Sequence, residues 1–265
     1  KRMKFSSILY RIYSDYVMSD RIYVFEELIR LARENDFIFS SISEIHEKMR
    51  SGIEIKEKTI ILRHDIDTDI KTARKMWEVE NRNGVISSWF FRLSTINTSL
   101  MKELHAGGCD VGYHYEEIAS WCKRKQVKDV ENVMSSLPEI RSEYLENLNR
   151  LRHQTGLPLT IAASHGDFVN RLIKLPNWHL LSDAGFRKSA NIELEVYDEN
   201  FMSVVSDRFS DTSYPEFWKP SSPIDAIKNG SKMIYILVHP RHWHANVIVN
   251  LKDDLFRFKE GIRYK

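Results

Sequence analysis

A single α/β domain, built as a distorted barrel of parallel strands with a helical addition at its amino terminus, is the fold the sequence predicts. Three observations predict it. Apolar runs of strand length alternate with segments whose apolar residues recur at helical spacing, the pattern of parallel crossover units. Four of those runs end in an acid or a histidine, as strands do when their carboxyl ends share one active mouth. The length of 265 residues suits one such barrel, which typically runs to about 250.

The elements follow in order. Ile22, Phe25, Leu28, Ile29 and Ala32 mark a helix with Ser19 or Asp20 as its cap, inside an amino-terminal addition over residues 1–57. Thr59, Ile60, Ile61 and Leu62 open the first core strand, and the core extends over residues 58–245. Ile70, Ala73 and Trp77 then form a helical stripe that stops at Asn83 and Gly84. Residues 85–91 read as a second strand, and a helix over 102–106 closes at Gly107 and Gly108. Ile140, Tyr144, Leu148 and Leu151 mark a long helix with Ser135 or Ser136 as cap, Pro138 in its first turn, and Gly156 then Pro158 at its end. Residues 246–265 form a closing helix. The stretch 166–218 is less regular; Trp178, Trp218 and Tyr197 within it fit either a sugar cleft or ordinary core.

Composition narrows the function classes. Net charge is +2 with both signs interspersed, which excludes a nucleic-acid footprint, and Lys123, Arg124 and Lys125 read as a solvated helix end. No apolar run reaches the roughly 20 residues of a membrane span, and the basic start at residues 1–4 leads into no signal core. Two cysteines, Cys109 and Cys122, are too few for a disulfide framework, so a reducing, cytoplasmic setting is expected. Oligomeric state is left open.

The chemistry concentrates at strand ends. In Arg63-His64-Asp65-Ile66-Asp67 two carboxylates share a face, because side chains alternate along a strand. Adjacent acids need a cation or a shared proton. The plainer alternative has Asp65 capping the next helix and Asp67 solvated. Three later strands each deliver one imidazole: Cys109-Asp110-Val111-Gly112-Tyr113-His114, Ile161-Ala162-Ala163-Ser164-His165 and Ile234-Tyr235-Ile236-Leu237-Val238-His239. One carboxylate with two imidazoles is a usual set for a catalytic divalent metal that keeps open positions. A local cluster of His239, His242 and His244 is a competing metal clip.

The ordered set Arg63-His64-Asp65-Ile66-Asp67, Gly112-Tyr113-His114-Tyr115-Glu116, Ser164-His165-Gly166 and His239-Pro240-Arg241-His242-Trp243 resembles the polysaccharide deacetylase superfamily, the NodB-homology or carbohydrate esterase family four group. It looks closest to the intracellular branch among surface-polysaccharide biosynthesis proteins. The resemblance implies the distorted barrel of that family and a metal-dependent hydrolase that removes an N-acyl group, N-acetyl first, from a sugar or nucleotide-sugar. It implies Asp65 as catalytic base, Asp67 and His114 as metal ligands, and His239 as general acid. It departs in one place: better-known members carry a second metal-binding histidine four residues on, where this chain has Ile118. His165 is therefore expected as third ligand, with Glu116 the competing oxygen donor. Zinc is the default metal, and iron, cobalt or nickel also suit the donors. Arg63 is expected to hold Asp65 ionised, with Arg92 as rival; Asp207 to orient His239 or a substrate hydroxyl; and Trp243 to pack on His239 or the acyl pocket. The alternatives are a catalytically silent sugar or nucleotide-sugar binder and a C–N hydrolase acting on a non-sugar amide.

Overall fold

The computed structural model describes residues 5–264; the basic start at residues 1–4 lies outside them. Nine strands occur among the described residues: β1 Ile38–Ser40, β2 Thr59–Ile66, β3 Ser88–Phe91, β4 Asp110–Tyr115, β5 Ile161–Ser164, β6 Leu194–Glu195, β7 Asp207–Asp211, β8 Trp218–Lys219 and β9 Met233–Val238. They form one sheet in the order β6-β5-β4-β3-β2-β9-β7-β8, with β1 also paired to β2. Every pairing is parallel except β7 with β8. The expected parallel α/β sheet is present. No pairing among the described residues joins β6 to β8, so its strand path is open, without a hydrogen-bonded barrel closure.

The β2 strand is buried along its whole length, as a parallel strand covered on both faces must be. Its even positions Ile60, Leu62 and Ile66 enter the larger core with the covering helices, while Ile61 joins Phe90, Ala163 and Tyr235 in the other. His64 sits on the helix side, hydrogen-bonded to Glu80 and stacked on Trp89 at 3.7 Å between ring centroids. Arg63 and Asp65 take the opposite face by the two-residue period.

Helices are placed much as the apolar stripes predict. Ile22–Glu34 begins where Asp20 Oδ1 accepts the Ile22 N–H at 2.8 Å. Ile70–Arg82 is capped by Asp69 and gives way to Asn83 and Gly84, the latter at φ 58°. Leu137–Thr155 carries Pro138 in its first turn and stops at Gly156, at φ 70°. Helix Thr98–Ala106 starts a turn earlier than residue 102 because Asn97 Oδ1 caps it. The second strand starts at Ser88 rather than Val85. The amino-terminal addition is not purely helical, since β1 within it pairs with the first three residues of β2. No helix among the described residues is long and apolar enough to cross a membrane.

One glycine is required by a close approach. A Cβ on Gly112 would stand 2.5 Å from the Phe90 ring and 2.6 Å from the Ile161 carbonyl oxygen. Gly112→Ala should therefore destabilise the fold by about 1–3 kcal/mol, the usual overpacking range, read from a denaturant midpoint; an unchanged midpoint would mean β3 and β5 part freely.

Candidate metal centre and active site

Four strand ends converge. The end of β2 supplies Asp65 and Asp67, β4 supplies His114, and His165 and His239 follow β5 and β9 directly. Parallel direction brings these carboxyl ends to one rim, which is why residues far apart in sequence meet.

Asp67, His114 and His165 form a triangle. The Asp67 Oδ1 atom lies 3.3 Å from His114 Nε2 and 3.1 Å from His165 Nδ1, and the two nitrogens are 3.2 Å apart. The protonation of His114 is set from behind: its Nδ1 donates to the Ala163 carbonyl at 2.9 Å, so in the neutral ring Nε2 bears a lone pair. Oδ1 of Asp67 is buried and makes no hydrogen bond. The lone pairs of Asp67 Oδ1 and His114 Nε2 meet beside His165 Nδ1, an arrangement that a cation would satisfy. Ligand atoms at about 2.0–2.1 Å from a metal in tetrahedral arrangement stand about 3.3–3.4 Å apart, so the triangle fits the open-faced set of a catalytic divalent ion. Burial alone would raise the Asp67 pKa, but the neighbouring His165 and His114 rings outweigh it and hold the carboxyl well below the usual range.

Asp65 is the partner of Arg63. The guanidinium is fully buried and donates twice, Nε to Oδ1 and Nη2 to Oδ2, both at 2.7 Å. Nη1 donates to the Tyr235 hydroxyl at 3.1 Å. Burial pushes the Asp65 carboxyl up and Arg63 pulls it down, with a net lowering. Arg92, the rival for this role, is turned away: it pairs with Glu116, Nε to Oε1 at 3.1 Å. Glu116 therefore stands beside the triangle as an arginine partner and is not among the three converging atoms. Ile118 is core, on the helix Glu117–Lys125.

The acid that orients His239 is Asp211, not Asp207. Asp207 opens β7, beside Ile234, at the far end from the site. Asp207 was expected in this role, but the strand begins there and carries Asp211 to the rim. The signal lay in Phe209, inward on β7, which puts Asp211 on the same face two residues on. Asp211 accepts from the His239 N–H and Nδ1, each at 2.7 Å, and from Trp243 Nε1 at 2.8 Å. Trp243 thus reaches His239 through this carboxylate, its ring packed edge-on against Phe25 and Trp218. Burial lowers the His239 pKa, but Asp211 more than offsets it and the ring titrates at about 9.

His242 also lies against Asp211, Nδ1 to Oδ1 at 3.1 Å. Asp211, His239 and His242 could as a set hold an ion, yet this acid already accepts three hydrogen bonds, whereas Asp67 Oδ1 accepts none. The clip of three histidines does not assemble, because His244 faces Asp20 at 3.5 Å.

No protein-family model matches the chain, and no curated protein matches it. Among solved structures it is similar to the Xyl-CE4 domain of a multidomain xylanase from the hindgut metagenome of Trinervitermes trinervoides, at 14% identity over 77% of this chain and 85% of that chain, with a TM-score of 0.36.

Two cavities adjoin the triangle: one of about 500 Å³ is lined by Asp67, Thr68, Arg92, Glu116, Lys123 and Phe256, and one of about 250 Å³ by Arg92, His165, Gly166, Asp167 and Phe168. A third, about 320 Å³, touches none of the three ligand residues and is lined by Trp178, Leu181, Arg187, Glu195 and Tyr197. Tyr197 connects it to the site, its ring 4.8 Å from the Arg63 guanidinium. Glu195 accepts from the Ser164 and Tyr197 N–H groups, and burial lifts its pKa to about 7.

Two outcomes follow from the geometry. Purified protein should carry about one equivalent of divalent metal, and elemental analysis should show it lost in Asp67→Asn and His165→Ala but kept in Glu116→Gln; full occupancy in His165→Ala would remove that ligand. Arg63→Met should cost about 3–5 kcal/mol, because it strands a buried carboxylate, and calorimetry or denaturant unfolding would show the loss.

Proposed function

We propose that the chain is a divalent-metal-dependent hydrolase that removes an N-acyl group, most simply N-acetyl, from a sugar or nucleotide-linked sugar. The observation that carries this reading is the Asp67, His114 and His165 triangle, with an arginine-held carboxylate and an aspartate-held imidazole at the same rim. A module that only bound sugar would need neither a fixed base nor a fixed acid.

When bound, the metal supplies Lewis acidity, which acidifies water and polarises an acyl carbonyl. Asp65 is the proton acceptor. Each of its oxygens gives one lone pair to Arg63 and keeps another, so the carboxylate is fixed in place while still able to take a proton. Arg63 also weakens it as a base, so it serves only where the donor is itself acidic. His239 is the proton donor: with Nδ1 bound to Asp211, the transferable proton is on Nε2, and Asp211 keeps the ring charged at neutral pH. Delivery to the departing nitrogen is the step a poor amine leaving group requires.

The sugar part of the reading rests on the aromatic cavity. Trp178 is 45% exposed and Tyr197 43%, so neither serves as core. An aromatic face next to carboxylates and an arginine suits a sugar ring, whose C–H face stacks while its hydroxyls hydrogen-bond.

Asp65→Asn should retain metal and lose about 10²- to 10⁴-fold in turnover on acetamido sugars, the usual general-base contribution; wild-type turnover would sink the assignment. The His239 pKa is raised above its ordinary 6.5 by Asp211, so activity should persist through neutral pH and fall as pH rises toward about 9. In Asp211→Asn the fall should move to lower pH with metal content unchanged, as a pH profile of kcat/KM would show. Trp178→Ala should raise KM for an acetamido sugar and leave hydrolysis of a small aryl acetate unaltered; equal effects on both would point to a non-sugar amide.

A further inference from the structure

The helix Val247–Arg263 is attached to the rest of the protein by its polar side. Asn250, its one buried residue among those described, donates Nδ2 to the Asp15 carbonyl at 2.7 Å. Asp254 receives Arg11 at 2.6 Å, the Tyr16 hydroxyl at 2.7 Å and Arg241 at 3.1 Å, and Arg241 also pairs with Asp253. This reverses the ordinary surface helix, which buries its apolar stripe and turns charge to water.

The apolar stripe faces outward. Ile248, Leu251, Leu255, Phe258 and Ile262 are spaced three, four, three and four apart and stay 49 to 68% exposed. At 3.6 residues per turn they fall within roughly a quarter of the helix circumference, the seam of a two-stranded coil. We propose that this stripe is the interface with a second copy of the chain, the two 247–263 helices lying side by side and parallel about a twofold axis.

Area and charge favour that occupant. An apolar side chain about half exposed leaves on the order of 100 Å² in water. The five stripe residues, with Ile8, Leu9 and Ile12 exposed on the adjoining helix Phe5–Tyr16, then approach the roughly 800 Å² each partner contributes to a standard interface. That exceeds the roughly 300–600 Å² of a monomer's largest apolar patch. Lys252 and Lys259 both flank the stripe on one side. Parallel pairing keeps the lysines of the two copies on opposite sides of the seam, whereas antiparallel pairing sets lysine against lysine. Phe256, on another side of the same helix, lines the cavity beside Asp67, so the pairing would also brace a wall of the site.

The test is independent of any catalytic assay. Light scattering after gel filtration should give twice the 31.3 kDa chain mass, and Leu255→Arg with Phe258→Arg should return it to the single mass with an unchanged circular dichroism spectrum. Because Cys109 and Cys122 are buried, Ile262→Cys should give a disulfide-linked dimer on mild oxidation, which an antiparallel pair would not. A wild type that stays monomeric across a wide concentration range, or a dimer indifferent to the double substitution, overturns the proposal. Absence of the Ile262→Cys cross-link in a dimer that the arginines do dissociate overturns the parallel arrangement.

Discussion

A guanidinium with no access to water has to share the interior with a carboxylate, and the structure around Arg63 follows from that requirement. The two-residue period of β2 places Asp65 on the same face at bidentate distance, so the strand that carries the charge also carries its neutraliser. Tyr235 on the neighbouring β9 takes a third N–H, and the Tyr197 ring covers the guanidinium from the β6 side. The pair is therefore a joint between three parts of the sheet. Moving β2 by one residue would swing Arg63 and Asp65 to the helix face and bring His64 to the rim, so the register of the central strand and the composition of the site are the same constraint.

Two aspartates show how partners decide the use of one side chain. Asp211 is saturated with donors, its oxygens already engaged by His239 and Trp243, and it works by fixing an imidazole and raising that ring's proton affinity. Asp67 Oδ1 makes no hydrogen bond, and it is buried against His114 Nε2, which has no hydrogen to give when that ring is neutral, and His165 Nδ1. The first arrangement is complete by itself; the second is one that a cation would complete.

Much of this was readable from residue order, because a parallel sheet converts strand-end residues into neighbours whatever their sequence separation. His114, His165 and His239 each end an apolar run, and each reaches the rim. What escaped the reading was set by contacts that leave no periodic trace. Asp207 and Asp211 open and close the same short strand, which misplaced the His239 partner by four residues on β7. The three-residue β1 is too short to carry a period, yet it pairs with the first three residues of β2. Trp178 and Tyr197 gave no sign of exposure, since an aromatic residue has the same letter in a core and in a cleft. Whether the sheet closes is likewise a matter of pairing between β6 and β8, which are two residues each.

The bond from His114 Nδ1 to the Ala163 carbonyl ties an imidazole to the main chain of the next strand. A carbonyl is present whichever residue occupies position 163, so the ring's aim is insulated from side-chain drift there. Any residue small enough for the core that encloses Ala163 would keep the tautomer. Heredity can therefore experiment at that position without detuning the ligand, and only a change in how the strands are threaded would reach it.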